Sequence, residues 1–354
     1  MSILEDTLAA IEVPDSNAAL EAQVRLDSLT KPRGSLGYLE EIVRRYAALR
    51  RDPAANFGRG AIAVFVADHG VSAAGVSAYP KAVTVEMLRN IGAGGAAISV
   101  LARRFGYELI VTDVGVETDT SAKPFKGVRY RRVANGTANF LEGPAMTLAQ
   151  AREAIEIGIE AARRAAAAGI TLLGIGEMGI ANSTSAAAIL AAVTGLEPAR
   201  LAGRGTGIDD KALAHKIQVI EAALRRHRAS LDDGLSMLAA IGGLEIAAMA
   251  GVCLGAAAAR LPVVVDGFIA TAAVAAAEKI RRGIHEHLFF SHRSAEGGHG
   301  LALQALDVRA MLDLDMRLGE GTGAAIAMSV IETALALFHE MATFSSAGVS
   351  EKIE

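Results

Sequence analysis

Apolar positions along the chain fall into short β-branched runs separated by long alanine-rich stretches with helical spacing. The runs Ala61–Ala67, Leu109–Val114, Ile170–Ile175, Leu261–Val265 and Leu288–Phe290 are largely continuous rather than alternating, as parallel strands buried on both faces are. Between them, Leu148–Ala168, Ser185–Val193, Asp210–Arg228 and Ala270–Arg281 read as helices. This alternation predicts an α/β fold in which helices flank a doubly wound parallel sheet. The two chain ends differ, with helices at Ala18–Leu29, Leu36–Arg50, Leu306–Met311 and Gly323–Phe344 and no strand among them. They are expected to form one small helical domain, residues 1–50 with 306–354, beside a large domain over 51–305. Glu117 to Leu141 is expected to be a long irregular excursion.

Composition narrows the classes. Of 354 residues 52% are hydrophobic, yet aromatics are only 4% and tryptophan is absent, which suggests helices packed closely on a sheet through small side chains. A net charge of −4 without a basic stripe argues against a nucleic-acid partner. Cys253 is the single cysteine, so neither a disulfide framework nor a thiolate metal cluster is available, and it reads as a small buried hydrophobe. The first twenty residues carry acids and no basic segment leading into an apolar one, so a cytoplasmic location is expected. Met237–Ala259 has the length of a membrane span, but its Ala/Gly content and Glu245 favour a buried helix and no membrane partner.

Each expected strand ends in polar or glycine residues: Asp68-His69-Gly70, Asp113-Val114-Gly115, Gly174-Ile175-Gly176-Glu177, Asp266-Gly267 and Ser291-His292-Arg293-Ser294. One strand-end aspartate is commonly a cap or turn former. Five such ends on one rim point to a site, because open parallel sheets bind ligands beyond the carboxyl ends of their strands. A further acid, Glu320, stands alone in the small-residue run Leu318-Gly319-Glu320-Gly321-Thr322-Gly323. The flanking glycines would let a flat ligand approach the carboxylate, and Thr322 is placed to cap the apolar helix that follows. A general base and a loop glutamate bonded to backbone amides both fit this setting.

The stretch Gly174-Ile175-Gly176-Glu177-Met178-Gly179-Ile180-Ala181-Asn182-Ser183-Thr184 leads from a strand into a helix, an arrangement that offers amides and hydroxyls to a phosphate. Gly174, Gly176 and Gly179 also match the dinucleotide pattern G-x-G-x-x-G, but no strand ending in an acid follows at the required distance, so one phosphate is favoured over two. Lys216, beyond the second glycine turn Gly203-Arg204-Gly205-Thr206-Gly207, is either that phosphate's cation or a solvent-facing helical lysine. His285, His287, His292 and His299 have no zinc-type spacing, so neither a metal nor a cofactor is expected. His69 lacks a partner nucleophile of the G-x-S-x-G kind.

Together with Leu29-Thr30-Lys31-Pro32-Arg33-Gly34-Ser35-Leu36-Gly37, Ala67-Asp68-His69-Gly70-Val71, Val265-Asp266-Gly267-Phe268, Ser291-His292-Arg293-Ser294-Ala295-Glu296-Gly297-Gly298-His299 and Arg317-Leu318-Gly319-Glu320-Gly321-Thr322-Gly323, these segments span nearly the whole chain. In that order they resemble the nicotinate-nucleotide–dimethylbenzimidazole phosphoribosyltransferase family of cobalamin lower-ligand activation. The resemblance implies a Rossmann-like large domain, a helical domain from both termini and a homodimer. It also implies transfer of 5-phosphoribose from nicotinate mononucleotide to 5,6-dimethylbenzimidazole, with inversion at C1′ and Glu320 as general base. Substrate contacts are then expected at Gly176, Glu177, Gly179, Asn182, Ser183, Thr184, Lys216, Asp266 and Ser291, with Tyr79, Met87 and Leu318 around the incoming base. Two other readings stay open on the residues alone: a Rossmann-type NAD(P)-dependent oxidoreductase, and a non-catalytic nucleotide- or benzimidazole-binding protein.

Overall fold

The computed structural model describes residues 2–205 and 207–350, so Thr206 of the second glycine turn lies outside the described residues. Its frame is one sheet of seven strands: β1 Gly60–Ala67, β2 Glu108–Gly115, β3 Val128–Tyr130, β4 Leu172–Met178, β5 Val263–Val265, β6 Leu288–His292 and β7 Ala310–Leu312. They run parallel in the order β3-β2-β1-β4-β5-β6-β7. All eight residues of β1 are buried, because both faces of the sheet are covered. The two-residue period of a strand sends Ala61, Ala63, Phe65 and Ala67 into one core and Ile62, Val64 and Val66 into the other.

The first core lies beneath the helices Leu148–Ala167, Asn182–Thr194, Leu244–Ala258 and Phe268–Ile280. Small residues dominate there because the backbones approach closely. A Cβ on Gly158 would stand 1.9 Å from the Ala248 carbonyl oxygen. The second core joins the helices Ser16–Ser28, Tyr38–Arg50 and Thr322–Glu340 to the opposite sheet face, with Leu26, Tyr46, Ile62, Val64, Ile331 and Phe338 in one apolar cluster. Helices from the two chain ends meet in this layer. Arg25 donates to the carbonyls of Phe338 and His339 at 3.0 and 3.1 Å, and Leu29 bridges to Thr343.

The five expected strands are present, and two further three-residue strands occupy the sheet edges. β3 lies inside the stretch expected to be irregular. β7 overlaps the expected helix Leu306–Met311; that helix is instead His299–Ala305, and the chain turns through a left-handed Asp307 (φ 54°) before the strand. Met237–Ala259 is not one helix but parts of two, Gly234–Ile241 and Leu244–Ala258, separated where Gly243 passes over the ring of His69. The last long helix ends at Glu340 rather than running to Phe344. Among the described residues it is also the one helix long and apolar enough to cross a bilayer, yet its inner side is committed to the sheet.

Candidate active site

Strand order reverses direction between β1 and β4, and beyond the carboxyl ends of β4, β5 and β6 lies a cavity of about 650 Å³. Its walls come from residues 177–183, 266–270 and 292–296 at those strand ends, from 76–87 on one side and from the turn 317–320 on another.

Glu320 enters this cavity from an unusual turn. Gly319, Glu320 and Gly321 all take left-handed backbone angles, with φ of 83°, 63° and 84°. For a residue with a side chain this conformation is costly and marks a position that the surroundings enforce. The turn rests directly on β4: a Cβ on Gly176 would stand 2.1 Å from the Gly321 nitrogen. The Glu320 amide donates to the Glu177 carbonyl at 3.1 Å, and its carboxylate accepts from the Ile98 amide at 3.4 Å in the first turn of the helix Ala97–Phe105. Burial raises the Glu320 pKa, partly offset by that amide. Both readings of this acid are thus present in one side chain, which accepts from backbone and faces the cavity.

Thr322 does not cap its helix; it is the first helical residue, and its hydroxyl donates to the Gly319 carbonyl at 2.8 Å. Asp266 at the end of β5 does the capping. Its two oxygens accept from the amides of Gly321 and Ala324, each at 3.0 Å. A Cβ on Gly323 would meet the His292 ring at 2.0 Å, so glycine is what lets strand β6 and this helix start come together around the aspartate. Burial pushes Asp266 up to about 7, opposed by its amide partners and reinforced by the charge of Glu320. Glu177 is raised well above the ordinary carboxylate value, first by burial and then by Glu245 and Asp266, while the Asn182 side-chain amide donates to it and pulls the other way. Among the described residues none of these three acids pairs with lysine or arginine. His292 stands 4.0 Å from Asp266, and burial lowers its affinity for a proton. The cavity floor therefore favours a ligand that brings its own positive charge.

At the far end Lys216 is fully buried and donates to the Ser183 hydroxyl at 2.8 Å and the Gly203 carbonyl at 3.1 Å. Burial brings its pKa down to about 8 although Glu296 opposes the shift. At the mouth, Tyr79 and Leu318 are 54% and 59% exposed, and Met87 is half-buried beside them.

Comparison with known proteins adds a sequence record to this geometry. The sequence model of a family described as phosphoribosyltransferase matches residues 11–349. Two proteins named nicotinate-nucleotide–dimethylbenzimidazole phosphoribosyltransferase are similar over essentially their whole length. The one from Geobacter sp. (strain M21) is 48% identical over 350 residues, covering 99% of this chain and 100% of its own. That from Chloroflexus aurantiacus is 49% identical over 353 residues, covering 100% of both. A crystal structure of CobT from Thermus thermophilus superposes with a TM-score of 0.90 at 46% identity, covering 95% of this chain and 100% of that one.

The chain belongs to the nicotinate-nucleotide–dimethylbenzimidazole phosphoribosyltransferase family.

As a phosphoribosyltransferase it is a glycosyl-transferring enzyme, which sets aside the oxidoreductase reading and the non-catalytic one. The fold gives the physical reason the dinucleotide pattern misleads. Gly174 and Gly176 lie within strand β4, facing Ile62 and the Glu320 turn, rather than in a loop around a pyrophosphate. Of the residues expected to touch substrate, Glu177, Gly179, Asn182, Ser183, Asp266, Tyr79, Met87, Leu318 and Glu320 line the cavity. Gly176, Thr184, Lys216 and Ser291 stand behind that lining. Ser291 donates to the Asp266 carbonyl at 2.8 Å, and the buried Thr184 hydroxyl has no hydrogen-bond partner among the described residues. His292, Ser294, Glu296 and Arg317, outside the expected set, also line the cavity. They sit in the segments beside Ser291 and Leu318, but nothing in residue type or spacing distinguishes a cavity-facing side chain from its neighbour in such loops.

Two other clustered histidines are held by hydrogen bonds within the fold. His299 accepts from the Ser294 amide at 2.8 Å and shares a hydrogen bond with Thr271, and His285 pairs with Glu278. His69 does meet a serine in the fold: Ser185 stands 3.1 Å from one ring nitrogen and Glu245 2.5 Å from the other. All three are fully buried and none lines the cavity, so this hydrogen-bonded row ties β1 to two helices instead of offering a nucleophile to substrate.

Proposed function

We propose that the enzyme transfers 5-phosphoribose from nicotinate mononucleotide to 5,6-dimethylbenzimidazole, giving α-ribazole 5′-phosphate and nicotinate with inversion at C1′. The observation that carries this reading is the polarity of a single cavity: a buried lysine behind Ser183 at one end, acids without a lysine or arginine partner among the described residues at its floor and an apolar mouth at the other end. Lys216 and Ser183 suit the 5′-phosphate. Glu177 and Asp266 suit the ribose and the cationic pyridine ring, whose nitrogen bears the positive charge in the nucleotide. That charge makes nicotinate a good leaving group without a proton donor.

The incoming benzimidazole must instead lose a proton from one ring nitrogen while the other attacks C1′. In this reading Glu320 takes that proton, with Tyr79, Met87 and Leu318 flanking the ring. Holding the two rings on opposite faces of the ribose accounts for inversion by direct displacement, and proximity of this kind supplies several kcal/mol of the barrier reduction. The two nitrogen heterocycles exchange places on one sugar, and the proton ends on the Glu320 carboxylate.

Incubation with nicotinate mononucleotide and dimethylbenzimidazole should release nicotinate in step with α-ribazole phosphate, followed by chromatography. Failure of dimethylbenzimidazole to stimulate nicotinate release at any pH would overturn the assignment. We also propose that two copies assemble so that one covers the exposed Tyr79 and Leu318 mouth of the other. Sedimentation equilibrium should give twice the chain mass, and a monomer at working concentration would refute this point.

A further inference from the structure

The end of the cavity that suits a phosphate already holds an anion of the protein's own. Both carboxylate oxygens of Glu296 accept from the Gly205 amide, at 2.8 and 3.0 Å. Gly205 lies over the buried cation: a Cβ there would stand 3.0 Å from the Ser183 hydroxyl and 3.5 Å from the Lys216 nitrogen. Glu296 is only 6% exposed, lines the cavity and opposes the effect of burial on the Lys216 charge. One buried ammonium, one buried carboxylate and one committed amide make a balanced set. A phosphate dianion entering beside them would face a like charge at low dielectric and find the amide taken.

We propose that Glu296 is a built-in stand-in for the substrate's phosphate: it occupies the Gly205 amide and balances Lys216 in the empty enzyme, and the 5′-phosphate displaces it on binding. The proposal rests on the phosphoribosyl-transfer reading above. Its mechanical requirement is rotation of one side chain that already lines the cavity, while the backbone stays held: the Glu296 amide donates to the Ser294 hydroxyl at 3.1 Å and its carbonyl accepts from the His299 amide at 3.3 Å. Two functional consequences follow. A ligand without the phosphate cannot displace the carboxylate, so Glu296 selects nucleotide over nucleoside. The same carboxylate also competes with the product's phosphate for Gly205 and Lys216, which favours release.

Calorimetric titration with nicotinate mononucleotide and, separately, inorganic phosphate tests this at fixed ionic strength. Glu296→Gln keeps an acceptor for Gly205 but removes the competing charge, and both ligands should bind about tenfold more tightly, the scale of one charge-assisted hydrogen bond. Unchanged or weaker binding in Glu296→Gln overturns the proposal. A wild-type crystal soaked in phosphate gives a readout that does not depend on a folded variant. Phosphate oxygen on the Gly205 amide with Glu296 turned away supports the exchange, whereas Glu296 still on that amide with phosphate bound beside it refutes it. Lys216→Gln separates the two levels of inference. If the nucleotide binds wild type and Lys216→Gln equally, the cavity has been misread altogether; if only Lys216→Gln loses binding while Glu296→Gln matches wild type, the stand-in role alone fails.

Discussion

Glu320→Gln should lower kcat by about 10²- to 10⁴-fold, the range typical for loss of a general base, while nicotinate mononucleotide still binds. The side chain keeps its length and its acceptor for the Ile98 amide at 3.4 Å, so the left-handed turn has no new reason to rearrange. What disappears is the capacity to take the azole proton. The pH profile carries the same signature. A base must be ionised to act, and burial raises Glu320 above its ordinary 4.5, so kcat/KM should fall on the acid side through a limb lying above that value. In Glu320→Gln the residual rate should lose that limb. Near-normal turnover, or an acid limb that survives in the variant, would remove Glu320 from the role of base.

Asp266→Ala should cost about 2–6 kcal/mol of stability, because two buried amides lose their acceptor and each such loss is worth about 1–3 kcal/mol. The amides belong to Gly321 and Ala324, at the start of the helix that follows Glu320, so turnover should fall with stability. Asp266→Asn retains one acceptor oxygen and should recover part of the melting temperature. Denaturant titration and steady-state kinetics on both variants check this. Wild-type stability and kcat in Asp266→Ala would show that the turn is held by something else.

These two residues also show what the sequence makes legible. Parallel strands buried on both faces leave β-branched runs that are hard to mistake, and β1, β2, β4, β5 and β6 were visible for that reason. The edge strands β3 and β7 are three residues each and only partly buried, too short for any period to register. The Ala/Leu content around Leu306–Met311 suggests a helix, but the pairing of β7 with β6 overrides that preference. Glu320 was legible as an acid alone in a small-residue run, and Glu177 and Asp266 as acids at expected strand ends. The capping of Gly321 and Ala324 was not, since local spacing pointed to Thr322 and the actual acceptor comes from the end of another strand. Glu296 was hidden for a similar reason: its partner Gly205 lies in a separate turn, brought to it only by the packed fold.

The helix Thr322–Glu340 completes the apolar layer over Ile62, Val64, Val264 and Phe289 and carries the Glu320 turn at its head. During synthesis on the ribosome these residues emerge after all seven strands. Until then the sheet has one face incompletely covered, an aggregation hazard for a nascent chain. In the proposed mechanism the general base therefore arrives in the same late step that seals this surface, and a truncated translation product would lack both.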